Sequence, residues 1–125
     1  MTQLPQSGSL LVVDDREDIR RAMSRFFQLY FQHVYVAASP DEAERILAEK
    51  QPTFLLCDYW LGEDFPPSTE LIPKWRKLDS SLKLVALMTG TKVDAIASTK
   101  CADIVFQKPL EPMAVVEFFI GATDN

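Results

Sequence analysis

Short apolar runs alternate with longer amphipathic stretches along this chain. The runs carry almost no polar residues, which is typical of strands buried on both faces of a parallel sheet. The stretches between them repeat apolar residues at helical spacing. The pattern predicts five strands, at residues 10–13, 33–37, 53–58, 83–88 and 102–106.

Helices are predicted over about 16–31, 40–50, 69–78, 92–100 and 112–121. The second has a clear start, with Ser39 as N-cap, Pro40 in the first turn and Glu42 closing a capping box. In the third, Pro73 should kink the helix or delay its start. Strict strand–helix alternation implies right-handed crossovers, and therefore an α/β fold with one doubly wound parallel sheet and helices on both faces.

Length and charge narrow the classes of function. The 125 residues fit one domain, and the net charge of −5 argues against direct nucleic-acid binding, which needs a basic face. Cys57, Cys101 and the single His33 are too few for a disulfide framework or a zinc site, and they favour a reducing cytoplasm. Residues 1–9 are predicted to be a flexible lead-in, since they lack the apolar core of a signal peptide or membrane span.

Polar residues of the types that bind phosphate and Mg²⁺ lie where the predicted strands end. Asp14 and Asp15 follow the first strand, Asp58 ends the third, Thr89 follows the fourth, and Lys108 comes shortly after the fifth. Ligands of open parallel sheets bind beyond the carboxyl ends of the strands, so these side chains should converge. Each has an ordinary alternative, such as helix capping for Asp14 and Asp15, a turn at Thr89, or a surface lysine.

The converging set has the chemistry of a phosphoryl site. Neighbouring carboxylates repel one another, and a hard cation such as Mg²⁺ relieves that repulsion. An aspartate can attack phosphorus to form an aspartyl phosphate. A lysine and a hydroxyl can stabilise the phosphoryl oxygens.

Four segments carry a resemblance to a known family: "LLVVDDREDIR", "PTFLLCDYWL", "LVALMTG" and "CADIVFQKPL". Together they resemble the receiver domain of two-component response regulators, with the CheY-like fold. The resemblance implies the strand order 2-1-3-4-5, a receiver domain over residues 10–122 and a tail over 123–125. The abrupt end after the last helix favours a domain excised from a larger protein.

The resemblance also implies a role for each residue. Asp58 resembles the phosphoacceptor, Asp15 the direct Mg²⁺ ligand, and Asp14 a ligand acting through water. The backbone carbonyl of Trp60 would complete the protein ligands. Thr89 resembles the switch hydroxyl, and Lys108 the lysine that pairs with the phosphoryl group, with a cis bond to Pro109.

Two features depart from the family pattern, and a third concerns the lifetime of the phosphorylated state. Val105 stands where the family often has a switch aromatic, and Phe106 should face the opposite side of the strand. The loop over residues 62–68 is about two residues longer than usual, with Gly62 in place of a common proline. Trp60 and Thr91 would flank the path of attacking water and set the lifetime of the acyl phosphate.

The expected function is a phosphorylation-dependent switch. A histidine kinase or phosphotransfer protein would phosphorylate Asp58 with Mg²⁺, and the protein would catalyse at most its own phosphoryl transfer and autodephosphorylation. The last helix is apolar on most sides, with Glu117 as its only charge, which favours a homodimer or an effector domain as partner. The alternative is a receiver-like interaction module that works without phosphorylation.

Other nucleotide and phosphate proteins fit less well. A flavodoxin-like cofactor binder must accept a phosphate near the first loop, where Asp14, Asp15 and Asp18 would repel it. A P-loop enzyme needs a glycine-rich loop with a lysine, which is absent after the first strand. An aspartate phosphatase would carry its nucleophile after the first strand with a second acid two residues on, and "DDRED" does not match this pattern.

Overall fold

Strands and helices alternate through residues 6–90 and 101–123, the part of the chain that the computed structural model describes. The elements are β1 (Gln6–Val13), α1 (Glu17–Phe27), β2 (Phe31–Ala37), α2 (Pro40–Lys50), β3 (Phe54–Asp58), α3 (Ser68–Leu78), β4 (Leu84–Thr89), β5 (Ile104–Gln107) and α4 (Pro112–Thr123). The helix predicted near residues 92–100 lies outside the described residues.

The strands form one parallel sheet in the order β2-β1-β3-β4-β5, which confirms the predicted order. Val13 pairs with Cys57 across β1 and β3, and Asp58 pairs with Met88 across β3 and β4. Thr89 pairs with Gln107 across β4 and β5. Because all strands run the same way, their carboxyl ends lie along a single edge.

Two apolar layers cover the sheet, one on each face. Helices α2 and α3 pack on one face, where Leu47 and Trp75 are fully buried. Helices α1 and α4 pack on the other, where Phe27 and Phe119 are fully buried. Alternate residues of each central strand enter opposite layers, as Leu55 and the neighbouring Leu56 do. This double burial is the reason that the strands read as unbroken apolar runs.

Strand β1 begins earlier than predicted. Gln6 pairs with Phe31, so residues 6–9 of the expected lead-in belong to the sheet. Gly8 has a φ of 104° and lies against the Phe54 ring, where an added Cβ would come within 2.8 Å of a ring carbon. The pairing register shifts between Gln6 and Ser9. The sequence analysis did not predict this part of the strand, because residues 6–9 are polar or glycine and lack the apolar run that marks the other strands.

The boundary between α1 and β2 also differs from the prediction. The helix ends at Phe27, and the strand begins at Phe31. Leu29 and Tyr30 donate backbone hydrogen bonds to residues 26 and 27, which makes a tight turn. Phe31 then packs edge-on against Phe54 and Phe119 in the sheet core. Helical spacing continued through these aromatic residues in the sequence, but long-range packing placed Phe31 in a strand.

The predicted start of α2 is confirmed in its main features. Ser39 is the N-cap, its hydroxyl oxygen accepts a hydrogen bond from the Glu42 N–H at 3.3 Å, and Pro40 opens the helix. The Glu42 carboxylate accepts from the N–H of Ala38 at 2.8 Å, one residue before the position of a standard capping box. In α3, Pro73 lies inside the helix, which begins at Ser68, so the proline does not delay it.

Helix α4 is the helix that the sequence shows to be apolar on most sides, and part of that apolar surface is buried. Val115, Val116 and Phe119 are in the sheet core. Phe118 is partly buried against Phe106, and Met113 is exposed. The core therefore accounts for one side of this helix, and a mixed apolar surface remains on the other. No helix within residues 6–90 and 101–123 is long and apolar enough to cross a membrane.

Asp79 gives the fold a pH-dependent component of stability. It caps the end of α3 and is 1% exposed; its Oδ1 accepts from the Ser81 N–H at 2.8 Å, and Oδ2 has no partner among the described residues. Burial raises its pKa above the ordinary 3.8. A raised carboxyl pKa means that the folded state holds the proton more tightly, so this stability is complete below pH 3.8 and is lost as pH rises through the higher folded value.

We therefore expect Asp79→Asn to gain stability relative to the native chain as the pH is raised from about 3 to 7. Chemical denaturation at a series of pH values gives the difference in unfolding free energy. A difference that stays constant over this range would contradict the expectation.

Candidate functional site

The carboxyl edge of the sheet brings together the polar residues that the sequence placed at strand ends. Asp14 directly follows β1, Asp58 is the last residue of β3, Thr89 is the last residue of β4, and Lys108 follows β5. All are described, and their convergence follows from the parallel register of the four strands.

Three carboxylates form the centre of this site. One oxygen each of Asp14, Asp15 and Asp58 lies within 4.8 Å of the others. Asp14 is fully buried, Asp58 nearly so, and Asp15 is exposed. The cluster thus opens to solvent on the Asp15 side and is closed beneath by the sheet.

Lys108 supplies the positive charge. Its Nζ lies 3.0 Å from Oδ2 of Asp58 and 3.9 Å from Oδ2 of Asp14. The Lys108 N–H donates to the Thr89 carbonyl at 2.8 Å, which fixes the chain beside the end of β4. The peptide bond to Pro109 is cis, as the resemblance implied. Lys108 therefore has an inward position and is not a surface lysine.

Asp14 does not cap a helix. The N-cap of α1 is Arg16, and no side chain caps that helix. Instead, Oδ1 of Asp14 accepts from the Arg16 N–H at 3.0 Å, and the Asp14 carbonyl accepts from the Arg20 guanidinium at 2.8 Å. The capping alternative for Asp14 and Asp15 is therefore wrong.

Burial raises the pKa of Asp14, and the nearby charge of Asp58 raises it further, against the lowering effect of the Arg16 N–H. Oδ2 of Asp14 is buried and makes no hydrogen bond within the described residues. A buried anionic oxygen without a donor, facing two more carboxylates, is a favourable setting for a divalent cation. The residues fit Mg²⁺, with Asp14, Asp15 and Asp58 as the acids that would hold it.

We expect Asp14→Asn to stabilise the metal-free protein by about 1 kcal/mol, because it removes a buried charge and keeps the acceptor for Arg16. In a domain of this size the melting temperature would rise by roughly 4 °C. Thermal unfolding in a chelator measures this, and Asp15→Asn, at an exposed position, should gain less. A lower melting temperature for Asp14→Asn in chelator would contradict the prediction.

The phosphoacceptor candidate Asp58 is fixed by the loop that follows it. The Trp60 N–H lies 3.4 Å from its Oδ1, and the Tyr59 N–H donates to the Met88 carbonyl at 2.8 Å. The Ser68 hydroxyl, buried at the start of α3, donates to the Asp58 carbonyl. The sequence analysis did not identify Ser68 as a site residue, and only its identity as a polar residue entering a helix could have drawn attention to it.

Cys57 is excluded as a nucleophile although it adjoins Asp58. Burial raises the pKa of its thiol to about 12, with the charges of Asp58 and Asp14 adding to the shift. The thiol is therefore protonated at neutral pH and is a poor nucleophile.

Comparison with solved structures finds response regulator proteins with the same fold. A CheY-like response regulator receiver domain protein from Methanospirillum hungatei JF-1 is 25% identical, with 95% of each chain covered and a TM-score of 0.74. TrrA from Thermotoga maritima, solved with Mg²⁺ and BeF, is 20% identical over 90% of this chain and 96% of its own, with a TM-score of 0.75. A response regulator from Burkholderia pseudomallei, solved with a phosphorylated aspartic acid, calcium and citrate, is 22% identical over 93% of this chain and 72% of its own, with a TM-score of 0.70.

The chain has the fold of a CheY-like receiver domain. No family model matches the sequence, and no curated protein sequence does.

Val105 lies in β5, at the position where the resemblance implies a switch aromatic. Val105 packs in the layer with α2 and α3, whereas Phe106 packs in the opposite layer beside Phe118. The expectation that Phe106 faces away from the Val105 side is confirmed. Phe106 cannot replace the missing aromatic side chain, since the two residues project from opposite faces of β5.

The loop after Asp58 folds back on itself. Gly62 has a φ of 133°, a region that residues with a Cβ rarely adopt, and its carbonyl accepts from the Phe65 N–H at 3.2 Å. Leu61 is buried in the core, and the Trp60 side chain is 48% exposed. The loop is thereby held in place on both sides of Trp60. Thr91 lies outside the described residues.

Proposed function

We propose that this receiver domain is a phospho-acceptor switch in two-component signalling, with Asp58 as the residue that is phosphorylated. The observation that carries the proposal is the contact of Lys108 Nζ with Asp58 at 3.0 Å, inside a cluster of three carboxylates whose oxygens lie within 4.8 Å. A nucleophile, a cation and a metal-binding set are thus present together. The response regulators with a phosphorylated aspartate or with Mg²⁺ and BeF support the same reading.

In the proposed reaction, a carboxylate oxygen of Asp58 attacks the phosphorus of a phosphohistidine on the donor. An O–P bond forms to Asp58, the N–P bond breaks, and its electron pair stays on the histidine nitrogen, which then takes a proton. Lys108 stabilises the negative charge of the phosphoryl oxygens, and the Thr89 hydroxyl would donate to one of them. The donor would be a histidine kinase or a phosphotransfer protein.

Asp14 and Asp15 would hold Mg²⁺ together with Asp58 and the Trp60 carbonyl. The ion, when bound, neutralises charge on the phosphoryl oxygens and offsets the repulsion among the carboxylates. Asp14 is prepared for this by its buried, unsatisfied Oδ2. We further propose that the mixed apolar surface of β5 and α4, with Phe106, Phe118 and Met113, contacts a second copy or an effector domain.

Incubation of the native chain with acetyl phosphate and Mg²⁺ tests the proposal. Intact mass should increase by one phosphoryl group, and excess chelator should suppress the increase. Borohydride reduction followed by peptide fragmentation should locate the modification at Asp58. A native chain that stays unmodified under these conditions would favour the phosphorylation-independent module.

Trp60 is 48% exposed and its backbone N–H lies 3.4 Å from Oδ1 of Asp58, and we propose that its indole shields a phosphoryl group on Asp58 from water. We expect Trp60→Asn to speed loss of the phosphoryl group several-fold, because the smaller side chain would leave water a freer approach to the phosphorus. Decay of the modified fraction by intact mass measures the rate. Equal decay rates in Trp60→Asn and the native chain, with equal melting temperatures, would remove Trp60 from the mechanism.

A further inference from the structure

Ser68 connects the start of α3 to the backbone of Asp58. It is fully buried, and its hydroxyl lies 2.5 Å from the Asp58 carbonyl oxygen. The Ser68 N–H donates to the Tyr59 carbonyl at 2.9 Å. Two successive carbonyls at the end of β3 therefore accept hydrogen bonds from one residue, ten positions further along the chain.

The sheet leaves the Asp58 carbonyl in need of such a donor. Strand β1 pairs with β3 only as far as Cys57, and beyond that point β1 has turned away into the loop of Asp14. On the other side, the Tyr59 N–H continues the pairing with β4 at Met88. A buried carbonyl without a donor costs about 1–3 kcal/mol. The Ser68 hydroxyl avoids this cost, because it supplies the hydrogen bond that β1 does not.

The Cys57 sulfur orients this contact. Its Sγ lies 3.3 Å from the Ser68 oxygen and 3.3 Å from the Asp58 carbonyl oxygen. When the thiol donates to the Ser68 oxygen, the hydroxyl proton is directed to the carbonyl. Cys57, Asp58 and Ser68 are thus linked to one another by hydrogen bonds directly beneath the carboxylate cluster.

We propose that Ser68 is a positioning residue for Asp58, which it holds in register with Lys108 through the Asp58 backbone. This inference rests on the proposed function. Ser68 does not contact the carboxylate itself, so its loss should misplace the nucleophile without changing its chemical nature. A misplaced nucleophile lowers the maximal rate and leaves the affinity for a small donor unchanged.

The test compares Ser68→Ala with the native chain in phosphorylation by acetyl phosphate, at several donor concentrations and saturating Mg²⁺. We expect the maximal rate constant to fall roughly 10-fold, with an unchanged half-saturating donor concentration. Ser68→Thr, which keeps a hydroxyl, should recover most of the rate. If Ser68→Ala does not fold, Ser68→Cys carries the test, since a thiol is similar in size and a weak donor.

Gln51→Ala is the matched control for stability. The Gln51 amide joins α2 to the far end of α3 through the carbonyls of Leu47 and Leu78, remote from the carboxylates. This variant should lose stability and keep the native rate. An unchanged rate in Ser68→Ala, or rate losses in Ser68→Ala and Gln51→Ala that both scale with lost stability, would overturn the inference.

Failure of the proposed function would be distinguishable, because the native chain itself would then take no phosphoryl group. Mg²⁺ affinity, measured by calorimetry, would decide the role of Ser68 in that case. Weaker binding by Ser68→Ala than by the native chain would support positioning of Asp58, and equal binding would overturn it.

Discussion

Replacing Asp58 by asparagine is expected to abolish phosphorylation by acetyl phosphate. The neutral amide is not a nucleophile, while its one oxygen can still accept one of the two hydrogen bonds that the carboxylate accepts from Lys108 and the Trp60 N–H in the native chain. The fold should therefore survive, and intact mass should show no added phosphoryl group. Removal of one of the clustered charges should also raise the stability of the metal-free protein.

Asp79→Asn is the control for this prediction, since it replaces a buried carboxyl at the opposite end of the sheet, where α3 ends and the chain enters β4. It should be phosphorylated at the native rate. An adduct of normal yield on Asp58→Asn would show that another residue accepts the phosphoryl group.

Replacing Lys108 by alanine should have the second largest effect, a fall in the phosphorylation rate of roughly 100-fold or more. The Nζ atom lies 3.0 Å from Oδ2 of Asp58, the proposed nucleophile, where it would stabilise charge on the incoming phosphoryl group. Loss of a single group of this kind typically costs 10²–10³-fold in rate, roughly 2.7–4 kcal/mol. The rate of adduct formation by intact mass at fixed Mg²⁺ measures the effect.

Lys74→Ala is the matched control, because Lys74 is exposed and pairs with a partly buried Glu44 on the helices away from the site. It should be phosphorylated at the native rate, since such surface pairs contribute little. A native phosphorylation rate in Lys108→Ala would show that Lys108 contacts Asp58 in the unphosphorylated protein but does not contribute to the reaction.

Most of the fold was predictable because strands buried on both faces produce unbroken apolar runs. Strands β3 and β4 were placed to within one residue at each end. Helix α2 was also placed correctly, because Ser39 and Pro40 are local signals that act through neighbouring backbone groups. The end of α1 was not predictable in this way, since Phe31 enters β2 through contacts with Phe54 and Phe119, which are distant in sequence.

The candidate site was likewise predictable only in part. The identity and order of the residues at the strand ends were visible in the sequence, because parallel topology maps strand ends onto one edge. That Asp14 binds the Arg16 backbone and does not cap a helix was not visible, and neither was the burial of its Oδ2, which accepts no hydrogen bond from the described residues. Both depend on how the first loop turns against β2 and β3.

The sequence by itself determined the alternation of strands and helices, the single parallel sheet, and the set of acids, hydroxyl and lysine at its carboxyl edge. These follow from local periodicity and from the direction of the strands. The tertiary structure alone decided the 3.0 Å contact of Lys108 with Asp58 and the hydrogen bond of Ser68 to the Asp58 backbone. Such contacts join residues far apart in the chain, and their distances depend on packing across the whole sheet.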